Sequence, residues 1–156
     1  MPHTRLQDEL KQRRPFTGPE HEAALSLART AALFEHMVAE ALKPHGLTPT
    51  QYNALRILRG AEPAGLCRNE VRDRLVARVP DATRLLDRLE AAGLVVRVRE
   101  GDDRRFVRSR ITEAGLSLLA GLDDLMGALH HRQLGHLGTA KLRTLIALLA
   151  EARAAR

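Results

Sequence analysis

The stretch from Cys67 to Gly115 constrains the fold more than any other, because its punctuation leaves few choices. An amphipathic segment over Cys67–Ala77 places Val71, Leu75 and Val76 inward. Pro80 then ends it, since proline cannot continue a helix and pushes Val79 out of the helical region. A second helix begins at once. In PDATRLLDRLEAAG, Ala82, Leu85, Leu86 and Leu89 follow the i, i+3, i+4, i+7 rule, and Gly93 is the stop. The period then changes from helical to alternating. LVVRVR (94–99) and FVRSRI (106–111) read as strands, joined by the loop EGDDRR. A two-stranded hairpin is marginal alone and must lean on the helices before it.

A tight helix pair followed by a β-hairpin is a winged helix-turn-helix layout. The rest of the chain supplies helices around it. Residues 1–18 read as a basic arm with a short helix around Leu6 and Leu10. Residues 20–42 carry apolar residues at helical spacing, and KPHG ends them. In LTPTQYNALRILRG, Thr48 is an N-cap, Pro49 suits the first helical position, and Gln51 completes a capping box. Tyr52, Leu55, Ile57 and Leu58 form its apolar side, and EPAGL after it reads as a loop. Thr112 leads into a long helix carrying Leu116, Leu119, Leu122, Leu125, Met126 and Leu129, and a last helix runs over 139–153. Apolar residues make up 44% and aromatics only 3%, with no Trp, so the core is built from Leu, Ala and Val. The expected fold class is mainly α with a small β-hairpin wing. The expected boundaries set an arm (1–18) apart from a single winged-helix chain (19–156).

The charge has a direction. Net charge is +6, and between Arg68 and Arg110 stand 12 basic and 8 acidic residues, against 13 and 11 elsewhere. Six arginines fall between Arg97 and Arg110. Such a balance points to an acidic partner, nucleic acid before a membrane surface. Arginine is the better fork for phosphates and base edges. One cysteine, Cys67, excludes an intramolecular disulfide and fits a reducing cytoplasm. No stretch approaches a membrane span and the N-terminus has no signal-peptide shape, so the expected location is cytoplasmic.

On the helix over 80–93, the face opposite the leucines carries Pro80, Thr83, Arg84, Asp87 and Arg88. The second helix of a helix-turn-helix lies in the major groove with its N-terminal residues at base edges. Thr83 and Arg84 are therefore the expected base readers, Asp81 a cap, and Arg88 a phosphate contact. A solvated face on an ordinary amphipathic helix is the competing reading of this helix alone. The hairpin favours the first. Val107, Ser109 and Ile111 alternate with Phe106, Arg108 and Arg110, which gathers charge on one face and at the tip. A basic tip can enter a minor groove, where arginine is favoured by negative potential. Arg104 and Arg105 are the expected tip contacts, while Arg97, Arg99, Arg108 and Arg110 are assigned to phosphate or water.

Taken in order, LTPTQYNALRIL, VPDATRLLDRLEAAGLVVR and DDRRFVRSRITEAG make the span from Leu47 to Gly115 resemble the MarR family of bacterial transcription regulators. The flanking helices agree in layout. The resemblance implies that Asp103 and Arg105 are the Asp-x-Arg of the wing, with Arg105 the minor-groove probe and Asp103 its brace. It implies that Thr83 and Arg84 are the major-groove positions. It further implies an obligate-type helical homodimer on double-stranded DNA, with dimerisation helices at 19–46 and 113–156 and a DNA-binding lobe at 47–112, acting as a repressor released by a small effector such as an aromatic acid. The resemblance places the effector pocket beside His36, Tyr52 and Arg56, where an arginine and a Tyr hydroxyl suit a carboxylate. The sequence departs from the family at Ser109, where an apolar residue is usual, and in its basic arm.

Other residues carry less. His130, His131 and His136 are spaced i, i+1, i+6 with no nearby cysteine, which favours surface histidines over a metal site. Cys67, with Arg68 beside it, has the setting of a redox thiol, but a buried or cap-region cysteine explains it more simply. No Gly-rich phosphate loop, nucleophile with a base, or carboxylate pair points to an enzyme. No cofactor or metal is expected. A protein-interaction dimer and a non-sequence-specific architectural DNA binder are the rival functions.

Overall fold

The computed structural model describes residues 6–99 and 107–154. It contains two compact units, one up to Met37 and one from Val38 onward. The first holds the short helix α1 (Leu6–Glu9), as expected of the arm, and most of helix α2 (Pro19–Leu42). Between them the Phe16 ring meets His21 edge-on at 5.4 Å.

The second unit opens with the end of α2. A 3-10 turn (Lys43–His45) and Gly46, at φ 69°, redirect the chain. Helix α3 (Pro49–Arg59) starts as its sequence dictates. The Gln51 N–H donates to Thr48 Oγ1 at 3.2 Å, and the Thr48 N–H donates to Gln51 Oε1 at 2.9 Å, which satisfies two otherwise orphaned donors. Strand β1 (Leu66–Cys67) and helices α4 (Arg68–Arg74) and α5 (Ala82–Ala91) follow. Strands β2 (Val95–Arg99) and β3 (Val107–Ile111) come next, then helices α6 (Glu113–Leu134) and α7 (Gly138–Ala154). The described elements are mainly helical with one small antiparallel sheet, in agreement with the expected class.

The sheet runs β1-β3-β2, so the hairpin has a third strand where the sequence reading ended a loop at Leu66 and began a helix at Cys67. Leu66 pairs with Ser109, and Val95 with Ile111. Two residues show no alternation, which hides β1 from a periodicity argument. Gly65 makes the pairing possible. Its φ is 69°, and a Cβ there would lie 2.7 Å from Ser109 O.

Two further corrections concern the helix pair. Val76 is not inward but 90% exposed. Helix α4 ends at Arg74 and Leu75 is extended at ψ 138°, so the helical spacing no longer applies to Val76. Its N–H donates instead to Asn53 Oδ1 at 2.9 Å. Pro80 does not enter α5, because Asp81 is the N-cap and accepts the Arg84 N–H at 2.9 Å. Leu125 on α6 is 39% exposed, outside the buried row of Leu119, Leu122, Met126 and Leu129.

The core joins Leu55 and Leu58 of α3, Val71 of α4, Leu86 and Leu89 of α5, and Val95 and Ile111 of the sheet. At its edge β3 passes into α6 through one residue. The Thr112 hydroxyl donates to Gly93 O at 2.7 Å and accepts the Gly115 N–H at 3.1 Å, while the Thr112 N–H donates to Leu94 O at 3.0 Å. A Cβ on Gly115 would lie 2.6 Å from both Leu94 O and Ile111 Cγ1, so only glycine admits this approach.

Arg59 ties α3 to α6 by a two-pronged pair with Asp123, at 2.9 and 3.0 Å. The Arg59 hydrogen bond, aided by its charge and that of Arg56, holds the Asp123 carboxyl below the usual aspartate range. A carboxylate depressed on folding stabilises above its unfolded value and loses that contribution as pH falls through its folded value. Thermal stability should therefore fall below about pH 4, and Asp123→Asn should remove a small part of that acid dependence. Melting curves of both proteins between pH 3 and 7 check this.

Helix α7 has no buried residue, with Ile146 and Leu148 at 65% and 57% exposure. Among the described residues, no helix is long and apolar enough to cross a membrane.

Candidate nucleic-acid interface

The amphipathicity of α5 creates the site. Ala82, Leu85, Leu86 and Leu89 are buried, and each fully buried leucine contributes roughly 1.5–3 kcal/mol. That fixes which way the opposite face points. Thr83, Arg84, Asp87 and Arg88 all lie on it, exposed. The capped N-terminus puts Thr83 and Arg84 in the first turn, where the helix dipole favours a negative partner.

Thr83 is joined to α4. The Arg68 Nη1 donates to Thr83 Oγ1 at 3.3 Å, and Asn69 Oδ1 accepts from Arg68 Nε and Nη2, both at 3.4 Å. Arg84 and Arg88 make no side-chain ion pair among the described residues. Neither is held in place by the fold, and both are available to a ligand.

The sheet arginines behave differently. Arg97 of β2 pairs with Asp87 and, at 3.5 Å, with Glu90, both on α5. Arg108 of β3 donates to Gly65 O at 3.1 Å and lies 3.7 Å from Glu70. Glu70 in turn accepts the Cys67 N–H at 2.8 Å, and that hydrogen bond, with the Cys67 thiol second, keeps its carboxyl below the usual glutamate range. Arg97 and Arg108 are therefore braces between elements. Exposed pairs of this kind add little stability, but they fix the hairpin base against α5 and α4. Sequence spacing gave no hint of them, since every partner is remote or on another element.

An open cleft of about 450 Å³ lies between α4, α5 and the sheet, lined among others by Arg68, Asn69, Thr83, Leu86, Arg97 and Ser109. Ser109, the departure from the expected apolar residue, is 2% exposed and faces this cleft with a small side chain. Cys67 also lines it, at the junction of β1 and α4, and is half-buried.

Asp103, Arg104 and Arg105 lie outside the described residues. His36 is exposed on α2 in the first unit. Tyr52 and Arg56 belong to the second, where Tyr52 is buried and the Arg56 guanidinium stands 5.9 Å from its ring centroid. His130 meets Gln133 at 3.2 Å, and among the described residues no group of three His, Cys, Asp or Glu could hold a metal ion.

Comparison with known proteins centres on the same region. The MarR family model matches residues 45–105. A MarR transcription factor from Planctomyces limnophilus is 40% identical, with a TM-score of 0.68 over 87% of this chain and 98% of that one. A Cys-to-Ser mutant of MarR from E. coli, solved in complex with operator DNA, is 26% identical, with a TM-score of 0.75 over 83% and 91%. The uncharacterized HTH-type transcriptional regulator YkoM of Bacillus subtilis is 30% identical over 105 residues, 64% of this chain and 66% of its own length. The regulator MhqR of the same species is 28% identical over 57% of this chain and again 66% of its own length.

Proposed function

Since the chain belongs to the MarR family of transcription regulators, which are not enzymes, we propose that it is a DNA-binding regulator whose reading head is α5. One observation carries the reading. Thr83, Arg84 and Arg88 stand exposed on the capped first turns of a helix whose other face is locked into the core. In this role Thr83 and Arg84 meet base edges in the major groove, Arg88 meets phosphate, and Arg104 and Arg105, braced by Asp103, enter the adjacent minor groove. The MarR mutant of similar fold was solved with operator DNA, which supports a duplex as the partner.

The unit in solution is a homodimer on a pseudo-palindromic operator, with half-sites roughly one helical turn apart. The uncovered apolar residues of α7 and the exposed Leu27 and Leu33 of α2 support an interface built from residues 19–46 and 113–156. Residues 47–112 form the reading lobe, and 1–18 a basic arm. Binding blocks transcription in the cytoplasm until a small effector, an aromatic acid by chemical class, favours another dimer geometry. His36, Tyr52 and Arg56 are the residues assigned to it, the Arg56–Tyr52 pair offering a cation beside an aromatic ring.

The test is selection of a duplex from a random pool, then gel-shift comparison with random duplex at two salt concentrations. The selected duplex should bind about 1,000-fold or more tightly than the random one. Arg105→Ala should weaken the selected complex more than the random one. Equal loss on both would identify an architectural binder, and no binding to either would leave a protein-interaction dimer.

A further inference from the structure

The pair formed by Arg68 and Thr83 joins the first helix of the motif to the second at the point where bases would be read. We infer that Arg68 is a positioning residue which, by occupying one lone pair of the Thr83 oxygen, biases that hydroxyl to act as a hydrogen-bond donor toward DNA. The inference rests on α5 being the reading helix.

A threonine hydroxyl has one hydrogen and two lone pairs, whereas a guanidinium has only donors. Arg68 can therefore meet Thr83 in one sense only, N–H to oxygen, and that contact leaves the hydroxyl hydrogen unused. Among the described residues the Thr83 hydroxyl makes no other hydrogen bond. A threonine within a helix can turn its hydroxyl back to the carbonyl four residues earlier. Thr83 is the second residue of α5, and four residues back lies Val79, outside any helix, so this outlet is closed. Asn69 holds the guanidinium from the other side through Nε and Nη2, so Arg68 is directed at Thr83 from a fixed base. Both side chains are exposed, and no core packing depends on the pair.

The consequence is chemical selectivity. A threonine free to rotate can accept from cytosine N4 or adenine N6 as readily as it donates. With its oxygen engaged by a cation, Thr83 favours the acceptors of the major groove: purine N7, guanine O6 or thymine O4. Lysine at 68 would preserve this sense, because an ammonium also only donates. Glutamine would not, because its amide oxygen can accept the Thr83 hydrogen.

The experiment uses the full-length protein and its selected duplex. Bases are replaced one at a time by analogues with a removed or weakened acceptor: 7-deazapurines for N7, 6-thioguanine for O6 and 4-thiothymine for O4. Wild-type protein should lose about 3- to 10-fold in affinity at one such position per half-site, the worth of one hydrogen bond. Thr83→Val should bind more weakly and be indifferent to the analogue there. Arg68→Lys should keep the sensitivity, and Arg68→Gln should lose it while retaining its thermal midpoint. The inference is overturned if no analogue separates wild type from Thr83→Val, or if Arg68→Gln responds like wild type. Failure of the wild type to select any duplex overturns the reading of α5 itself, and this inference with it.

Discussion

Arg84→Ala should weaken binding to the selected duplex by about 1–3 kcal/mol, roughly 5- to 150-fold, while binding to random duplex changes little. The physical reason is a contrast within one lobe. Arg97 and Arg108 are committed to carboxylates and a carbonyl of the fold. Arg84 has its backbone N–H fixed by Asp81, yet its guanidinium makes no ion pair among the described residues. Its Cα is thus positioned while its fork remains free for two acceptors on a guanine edge. Arg84→Lys should recover only part of the loss, since an ammonium cannot present two parallel donors. The salt dependence on random duplex should be nearly unaltered if Arg84 reads bases, and should fall by about one phosphate equivalent if it does not. Fluorescence anisotropy at several salt concentrations measures both.

The second large effect concerns folding. Leu89→Ala should destabilise the protein by about 2–5 kcal/mol, read from the denaturant midpoint. Leu89 is fully buried on α5, where it locks the helix to the core beneath the reading face. Its truncation removes apolar contact and leaves a cavity that close-packed neighbours fill only in part. DNA affinity should fall as well when measured near the melting midpoint, and recover at lower temperature. A loss of affinity that persists far below the midpoint, with stability unchanged, would contradict this assignment of Leu89.

What the sequence made legible was local. The Thr48–Gln51 capping box, the Asp81 cap and the Gly93 stop each depend on residues within a few positions, so their chemistry fixes their geometry. The buried face of α5 was legible for the same reason. The inward assignment of Val76 failed because periodicity assumes that the helix continues, and α4 stops at Arg74. Strand β1 escaped because its partner lies more than forty residues away and its existence depends on Gly65 approaching Ser109. Arg97 was legible as a charge, but its carboxylate partners were not, since only the fold brings β2 beside α5. Of the expected reading residues, Thr83, Arg84 and Arg88 come together on one face, and the part played by Arg68 has no signature in linear spacing.

The junction at Thr112 has a mechanical meaning. With one residue between β3 and α6, and three hydrogen bonds pinning that residue to Gly93, Leu94 and Gly115, the joint has no slack. The Arg59–Asp123 pair fastens the same helix at a second point, nearly three turns further along. A rod held at two points cannot swivel independently of what holds it. Helix α6 has 22 residues and is roughly 33 Å long, so each degree of tilt moves its far end about 0.6 Å relative to the sheet. The rod and the hairpin base therefore turn as a crank. By this geometry, angular changes at the far end of α6 would be delivered to the base of the hairpin at Thr112, with a gearing set by helix length.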